Sequence, residues 1–124
     1  MSTSYDPHTV AQNPEDLVRL FIEHANAGNV EGLVGLYESD AVLAVGDPVA
    51  RGHDEIRTFY TDLLARKRDF PAPEQLPILV NDDVALTSTR QANGNISVEI
   101  ARRQADGSWR WRVDQLKIKP LVKG

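Results

Sequence analysis

An arginine and a tryptophan near the end of the chain have the residue types and the spacing of a ligand contact. Asp106-Gly107 is typical of a two-residue hairpin turn, and pairing outward from it places Arg102 opposite Trp111. A guanidinium over an indole at the rim of a pocket can hold a carboxylate or an enolate. The alternative is an arginine that extends past the apolar surface into solvent.

The same register sorts the two strands of this hairpin into two faces. The face predicted to pack on helices contains the apolar side chains and one cation: Ile96, Val98, Ile100, Arg102, Trp109, Trp111, Val113 and Gln115. The face predicted to meet solvent or another subunit places Glu99 opposite Asp114 and contains Glu99, Ala101, Arg103, Arg110, Arg112, Asp114 and Leu116. A slip of one residue would destroy this agreement between the strands.

The other titratable candidates each have a structural explanation beside a functional one. Asp47 is a turn former in Gly46-Asp47-Pro48 or an acid, and His53 is a surface residue in the first turn of a helix or a proton shuttle. His24 packs at the edge of the core or contacts a ligand, and His8 lies in the N-terminal arm. No histidine pair has metal-ligand spacing with a carboxylate, and no Gly-rich phosphate loop occurs. We therefore predict no metal and no cofactor.

Three helices are predicted to position these residues, after a flexible or extended arm over residues 1–13. The first begins at Pro14 with Asn13 as its cap and ends at Gly28. The second runs from Val30 to about Tyr37, and the third begins after Gly52 and ends in Arg66-Lys67-Arg68. A short strand, Ala41 to Val45, with a return at Val49-Ala50, lies between the second and third helices.

After the prolines at 71, 73 and 77 the apolar pattern alternates, which is typical of strands. The predicted strands are Leu76 to Val80, Val84 to Ala92, Asn95 to Ala105 and Ser108 to Ile118. A two-residue loop at Asn93-Gly94 would place Thr87 and Thr89 with the apolar face, whereas a three-residue loop would place Val84, Leu86 and Arg90 there. The order of elements predicts an α+β fold with helices packed on one face of an antiparallel sheet.

Composition restricts the function classes. The 124 residues suffice for one domain, the absence of cysteine excludes disulfides and thiolate chemistry, and no apolar run reaches the length of a membrane span. We predict a soluble cytoplasmic protein. The net charge of −4 disfavours nucleic-acid binding, but residues 63–124 hold 11 bases and 7 acids. These bases pair with the acidic first half or a second subunit, or form a surface for single-stranded nucleic acid.

Three segments together resemble a known superfamily. They are the run Leu20 to Leu33, the run Leu36-Tyr37-Glu38-Ser39-Asp40-Ala41-Val42, and the run Arg51 to Tyr60, and the ending Arg102 to Gln115 is similar to the final hairpin of bacterial members. The likeness covers residues 14–118 and is to the nuclear transport factor 2-like superfamily, with its SnoaL-like and ketosteroid-isomerase-like branches. It implies one domain over residues 14–124, a cone of three helices closing a curved sheet around an apolar pocket, and a homodimer packed through the sheet.

The resemblance also bears on catalytic residues. Ketosteroid isomerases of this fold have an oxyanion-hole tyrosine where this chain has Phe21, a general base near Val45 or Gly46, and a second acid near Ile100 or Ala101. Steroid isomerisation is therefore not expected. SnoaL-like cyclases place their acid/base aspartate where Asp114 stands, but the predicted register turns Asp114 outward, and only a β-bulge would turn it inward.

From these observations we predict a pocket for a small hydrophobic or weakly acidic molecule. The predicted activity is cofactor-independent isomerisation, cyclisation or dehydration by proton transfer, with Asp114 and Tyr60 as catalytic residues. The predicted ligand contacts are Phe21, Tyr37, Val45, Phe59, Tyr60, Arg102, Trp111 and Gln115. The alternative is a non-catalytic ligand-binding or dimerisation module.

Overall fold

The structure, a computed structural model, describes residues 10–45 and 49–118. These residues form three helices, α1 (Asp16–Asn26), α2 (Val30–Val34) and α3 (Gly52–Arg66). They also form seven strands: β1 (Tyr37–Ala44), β2 (Val49–Arg51), β3 (Glu74–Gln75), β4 (Leu79–Asn81), β5 (Val84–Arg90), β6 (Ile96–Arg103) and β7 (Trp109–Ile118). The predicted turn at Gly46-Asp47-Pro48, the arm residues 1–9 with His8, and residues 119–124 lie outside the described residues.

The helices begin close to the predicted positions. In α1 the Asp16 carboxylate, rather than the predicted Asn13 side chain, accepts hydrogen bonds from the backbone nitrogens of Gln12 and Asn13, both at 3.1 Å. Asn29 caps α2 by accepting a hydrogen bond from the Gly32 backbone nitrogen at 3.1 Å. The second helix is shorter than predicted, because Tyr37 already pairs with Trp111 as the first residue of β1.

One sheet runs in the order β2-β1-β7-β6-β5-β3, with β4 beside β5. The predicted all-antiparallel sheet is wrong in one place, because β1 and β7 pair in parallel. The α+β class with helices packed on a sheet is confirmed, and the sheet is mixed. Ala11, in the predicted arm, forms a bridge with Trp109 and is buried.

The hairpin between β6 and β7 departs from the predicted register near its turn. The turn is a three-residue loop, closed by a hydrogen bond from Gln104 N to Ser108 O at 2.6 Å, with Gly107 at φ +87°. Arg103 therefore pairs with Trp109, and Ala101 rather than Arg102 pairs with Trp111. Beyond an irregularity at Arg112, the predicted pairs of Ile100 with Val113 and of Glu99 with Asp114 are confirmed.

This β-bulge decides which side chains face the helices. Because Arg112 is an extra residue in β7, Trp111 and Asp114 lie on the same face, although they are three residues apart. The predicted inner face of β6 is wrong: Glu99 and Ala101 face inward, and Ile100 is 39% exposed on the outer face. In β5 the pairing follows the three-residue loop alternative, because Val84, Leu86 and Arg90 lie on the same face as Ile100. That face is the outer one, and Thr87 and Thr89 are buried on the inner face.

Candidate active site

A cavity of about 420 Å³ lies between the helices and the inner face of the sheet. Its size is typical of a pocket for a small molecule. The apolar part of its wall comes from α1, α3, the loop after α3 and the sheet: Val18, Phe21, Ile22, Val45, Phe59, Leu63, Phe70, Pro71, Pro73, Trp111 and Leu116.

Two acidic side chains, Glu99 and Asp114, line this cavity. They are direct partners across β6 and β7, and they are 3% and 1% exposed. Cross-strand partners on one face stand side by side. Two neighbouring carboxyl groups in a buried site do not both ionise readily, so the pair favours a state that shares one proton.

Asp114 is held by a chain of two tyrosine hydroxyls. The Tyr37 hydroxyl donates to Asp114 Oδ2 at 2.6 Å, and the Tyr60 hydroxyl lies 2.6 Å from that of Tyr37. Burial raises the pKa of both tyrosines well above the usual range, so both hydroxyls keep their protons. Since the Tyr37 proton points to Asp114, Tyr60 is the donor to Tyr37.

The second oxygen of Asp114 is chemically available. Asp114 Oδ1 is buried and has no hydrogen-bond partner among residues 10–45 and 49–118. Burial, followed by the charge of Glu99, raises the pKa of Asp114 well above its usual range, against the opposing hydrogen bond from Tyr37. With Oδ2 accepting from Tyr37, the proton of the neutral acid belongs on Oδ1. This oxygen can donate that proton to a bound molecule or, when ionised, accept one.

Glu99 has its own supporting contacts. The Thr87 hydroxyl donates to Glu99 Oε1 at 2.5 Å, and the Trp111 indole nitrogen donates to Thr87 Oγ1 at 3.4 Å. Burial raises the pKa of Glu99, although hydrogen bonds from Ser97 and Thr87 oppose that shift. The cavity thus has two carboxyl groups of raised pKa, one supported by hydroxyls of Tyr37 and Tyr60 and the other by Thr87.

The structure brings together most of the predicted site residues. Phe21, Val45, Phe59, Trp111 and Asp114 line the cavity. Tyr37 and Tyr60 are completely buried behind this wall. The Tyr37 ring packs at a tilt against Trp111, with 5.4 Å between ring centres, and the Tyr60 ring packs edge to face against Phe21 at 5.9 Å.

Two predicted ligand contacts lie elsewhere. Arg102 faces the outer side of the sheet, where it binds both oxygens of Glu38 at 2.8 and 3.0 Å, and Gln115 is exposed. Both were assigned inward because the predicted hairpin register had no bulge. Arg112 and Gln104 also bind Glu38. Burial raises the pKa of Glu38, but the hydrogen bonds from Arg102, Gln104 and Arg112 outweigh burial and lower this pKa to about 2.

The two histidines among the described residues, His24 and His53, do not line this cavity. His53 Nε2 is 2.8 Å from the backbone oxygen of Tyr37, and His24 is buried between α1 and α2 with Nδ1 3.3 Å from the amide nitrogen of Asn29. Within the described ranges, no group of three or more His, Asp or Glu side chains is placed to hold a metal ion. No described helix is long and apolar enough to cross a membrane.

Sequence reasoning missed Glu99 and Thr87 as site residues. The pairing of Glu99 with Asp114 is readable from the sequence, but both side chains were assigned to the outer face. Two features of the sequence pointed to these residues. The two-residue loop alternative placed Thr87 inward, and Asp114 could enter the pocket only through a bulge.

The chain resembles proteins of known structure. A ketosteroid isomerase-like protein from Erwinia carotovora is 23% identical, with a TM-score of 0.69 over 86% of this chain and 94% of its own. An NTF2-like protein with a cystatin-like fold from Novosphingobium aromaticivorans is 23% identical, with a TM-score of 0.60 over 81% and 75%. A cystatin-fold protein from Nostoc punctiforme is 17% identical, with a TM-score of 0.69 over 86% and 88%.

These likenesses establish the cystatin-like fold. None of the curated proteins matches the sequence significantly. The model of the SnoaL-like domain matches residues 18–119, which includes α2, α3, all but the first two residues of α1, and all seven described strands with the carboxyl pair. The chain therefore belongs to the SnoaL-like domain family.

Proposed function

We propose that this protein binds a small, mostly apolar molecule in the cavity and catalyses proton transfer on it without a cofactor, in an isomerisation, a cyclisation or a dehydration. The observation that supports this proposal is the state of Asp114. It is buried at the cavity wall, its pKa is raised, and Oδ1 has no partner among the described residues. A carboxyl group with a raised pKa is suited to acid and base chemistry near neutral pH.

In this proposal the two carboxyl groups take complementary roles. When the pair holds one proton, the neutral Asp114 donates through Oδ1 to an oxygen of the ligand, and the ionised Glu99 accepts a proton from a neighbouring carbon or oxygen. Tyr37 fixes the orientation of Asp114. Tyr60, which donates to Tyr37 and does not line the cavity, is a positioning residue in this scheme rather than the catalytic residue predicted from the sequence.

The test is a thermal-shift screen with small carboxylic acids, ketones, sterols and polyketide-like aromatics, followed by turnover assays on each ligand found. A ligand at 100 times its dissociation constant adds about 2.7 kcal/mol of stability. We expect Asp114→Asn to bind such a ligand but to lose at least about 100-fold in turnover. Asp40→Asn, an exposed acid on β1, is the matched control. Equal turnover by wild type and Asp114→Asn would refute the assignment.

A second candidate function, a non-catalytic dimerisation module, is favoured by the outer face of the sheet. Five apolar side chains form one cross-strand row on this face, defined here as the apolar row: Leu79, Leu86, Ile100, Val113 and Val42. Leu79 is 67% exposed and Val113 43%. Exposed apolar patches of this kind mark interaction surfaces.

We propose that a second copy of the chain covers the apolar row. Arg102 and Arg112 beside it are already paired with Glu38, so this face can be covered without leaving these charges unpaired. A symmetric dimer brings the same row from both subunits together. Arg103 is paired with Asp83, which leaves fewer free cations for the alternative of single-stranded nucleic acid.

A further inference from the structure

The charged residues that line the cavity are separated by sign. The acids are Glu99 and Asp114, and the cations are Arg66, Lys67 and Lys117. The cations lie at the C-terminal end of α3 and at the end of strand β7, and they are exposed, whereas the acids are buried. The cavity therefore has a buried acidic end and a solvent-exposed basic mouth.

Two of the three cations have no acidic partner in the part of the chain that the structure describes. Arg66 is bound to Asp62 at 2.8 Å, one turn earlier in α3. Neither Lys67 nor Lys117 forms an ion pair with any residue of ranges 10–45 and 49–118. Amide side chains from the β5–β6 loop region complete the polar rim: Gln91, Asn93 and Asn95.

The rim around Lys67 is fixed by specific contacts. The Lys67 ammonium lies 4.9 Å from the centre of the Phe70 ring, which lines the cavity and is buried. Asn26 holds Phe70 in place by accepting from its backbone nitrogen at 2.8 Å and donating to its backbone oxygen at 3.0 Å. The ammonium group is thus held beside an apolar wall of the cavity.

On the other side, Lys117 is brought to the cavity by a second irregularity of β7. Between Val98 and Ile96 of β6, the partner residues on β7 advance from Gln115 to Ile118, which adds one residue to β7. As a result the consecutive residues Leu116 and Lys117 both line the cavity. Lys117 follows Asp114 by three positions along β7, which is a distance of about 10 Å between their Cα atoms.

We propose that the cavity binds its ligand in one orientation, with an anionic end group at Lys67 and Lys117 and a carbonyl or hydroxyl group about 10 Å away at Asp114. The substrate class is an elongated apolar molecule with a carboxylate at one end. This inference rests on the proposed function. The reverse orientation brings the anion against the carboxyl pair, where like charges repel each other in a buried site.

The experiment compares decanoate with decanamide, a neutral molecule of the same length, in calorimetric titrations at low salt. We expect wild type to prefer decanoate about tenfold, which is about threefold for each exposed lysine. In the double variant Lys67→Met/Lys117→Met the aliphatic stems remain, and the preference should fall to about one. Arg68→Met, next in sequence but not lining the cavity, should keep the preference of wild type.

The outcomes separate the two proposals. At about 1 M salt, where the screening length is about 3 Å, the preference for decanoate should shrink in wild type. Equal binding of acid and amide by wild type, or a preference that survives in the double variant, would overturn the anionic-end assignment and leave the apolar pocket intact. If neither molecule binds, both the pocket function and this assignment fail.

Discussion

Asp114 imposes a pH dependence on the stability of the fold. In the unfolded chain its carboxyl group ionises at about pH 4. Burial and the neighbouring Glu99 raise its pKa in the folded protein, so the folded state binds a proton that the unfolded state has released. The resulting stability is fully present below about pH 4 and is lost as the pH rises through the folded pKa.

We therefore expect Asp114→Asn to reduce the fall of stability with rising pH. Asparagine can still accept the hydrogen bond from Tyr37 but has no proton to lose. Urea unfolding of wild type and variant at several pH values between about 5 and 9 measures the two slopes. Asp40→Asn, whose side chain is 73% exposed, should keep the slope of wild type. Identical slopes for wild type and Asp114→Asn would show that Asp114 ionises normally.

Helix α2 depends on a close approach between Gly32 and α1. A Cβ atom on Gly32 would lie 2.4 Å from His24 Nδ1 and 2.5 Å from the amide nitrogen of Asn29. His24 is buried and Asn29 caps the helix, so moving either side chain would lose core packing or the helix cap. Position 32 therefore has room only for glycine, although alanine would stabilise a helix by about 1 kcal/mol relative to glycine.

For this reason Gly32→Ala should destabilise the protein by about 2 kcal/mol, the range of overpacked sites. The matched variant is Gly35→Ala, where the new Cβ would be 3.4 Å from the nearest atom and φ is −66°. It should be neutral or stabilising by up to about 0.5 kcal/mol. Chemical unfolding of both variants is the measurement, and a loss in Gly35→Ala as large as in Gly32→Ala would contradict the steric explanation.

The bulge at Arg112 lets Trp111 and Asp114 share the inner face of β7 although they are three residues apart. Deleting Arg112 would leave them two residues apart, so both would still face inward and every other pair between β6 and β7 would be kept. We therefore expect the deletion to fold and to cost about 1 kcal/mol, mainly from the lost ion pairs of Arg112 with Glu38 and Asp40. Arg112→Ala, which loses the same ion pairs and keeps the bulge, should have a similar unfolding midpoint. A deletion variant that is several kcal/mol less stable than Arg112→Ala would contradict this account of the bulge.

Some features of the helices and strands can be predicted from the sequence and others cannot. The capping Asn29, the helix end at Gly28 and the place of the turn at Gly107 are predictable because each is a local signal with its own residue type, although the loop at Gly107 has three residues and not the predicted two. The inner face of β6 is not, because an extra residue in a partner strand leaves no mark in the alternation of β6 itself. The parallel pairing of β1 with β7 joins segments about 70 residues apart, and no local pattern reports the relative direction of such strands.

For the whole molecule, the apolar row predicts concentration-dependent association. We expect Ile100→Lys, at the centre of the row, to shift the protein to monomer in sedimentation equilibrium while the circular dichroism spectrum stays that of wild type. Val49→Lys, which replaces an apolar side chain that is 43% exposed on β2 and outside the row, is the control. A wild-type protein that is monomeric at all concentrations would refute the proposed dimer.

The position of β1 in the sheet has a consequence for synthesis on the ribosome. Its two neighbours are β2, which follows soon after, and β7, which is made after every other strand of the described residues. Until β7 emerges, one edge of β1 is an unpaired row of amide and carbonyl groups next to apolar Ala41 and Leu43. Unpaired edges of this kind recruit other chains. The nascent chain is thus exposed to aggregation until β7 arrives, and the same strand completes the carboxyl pair with Asp114.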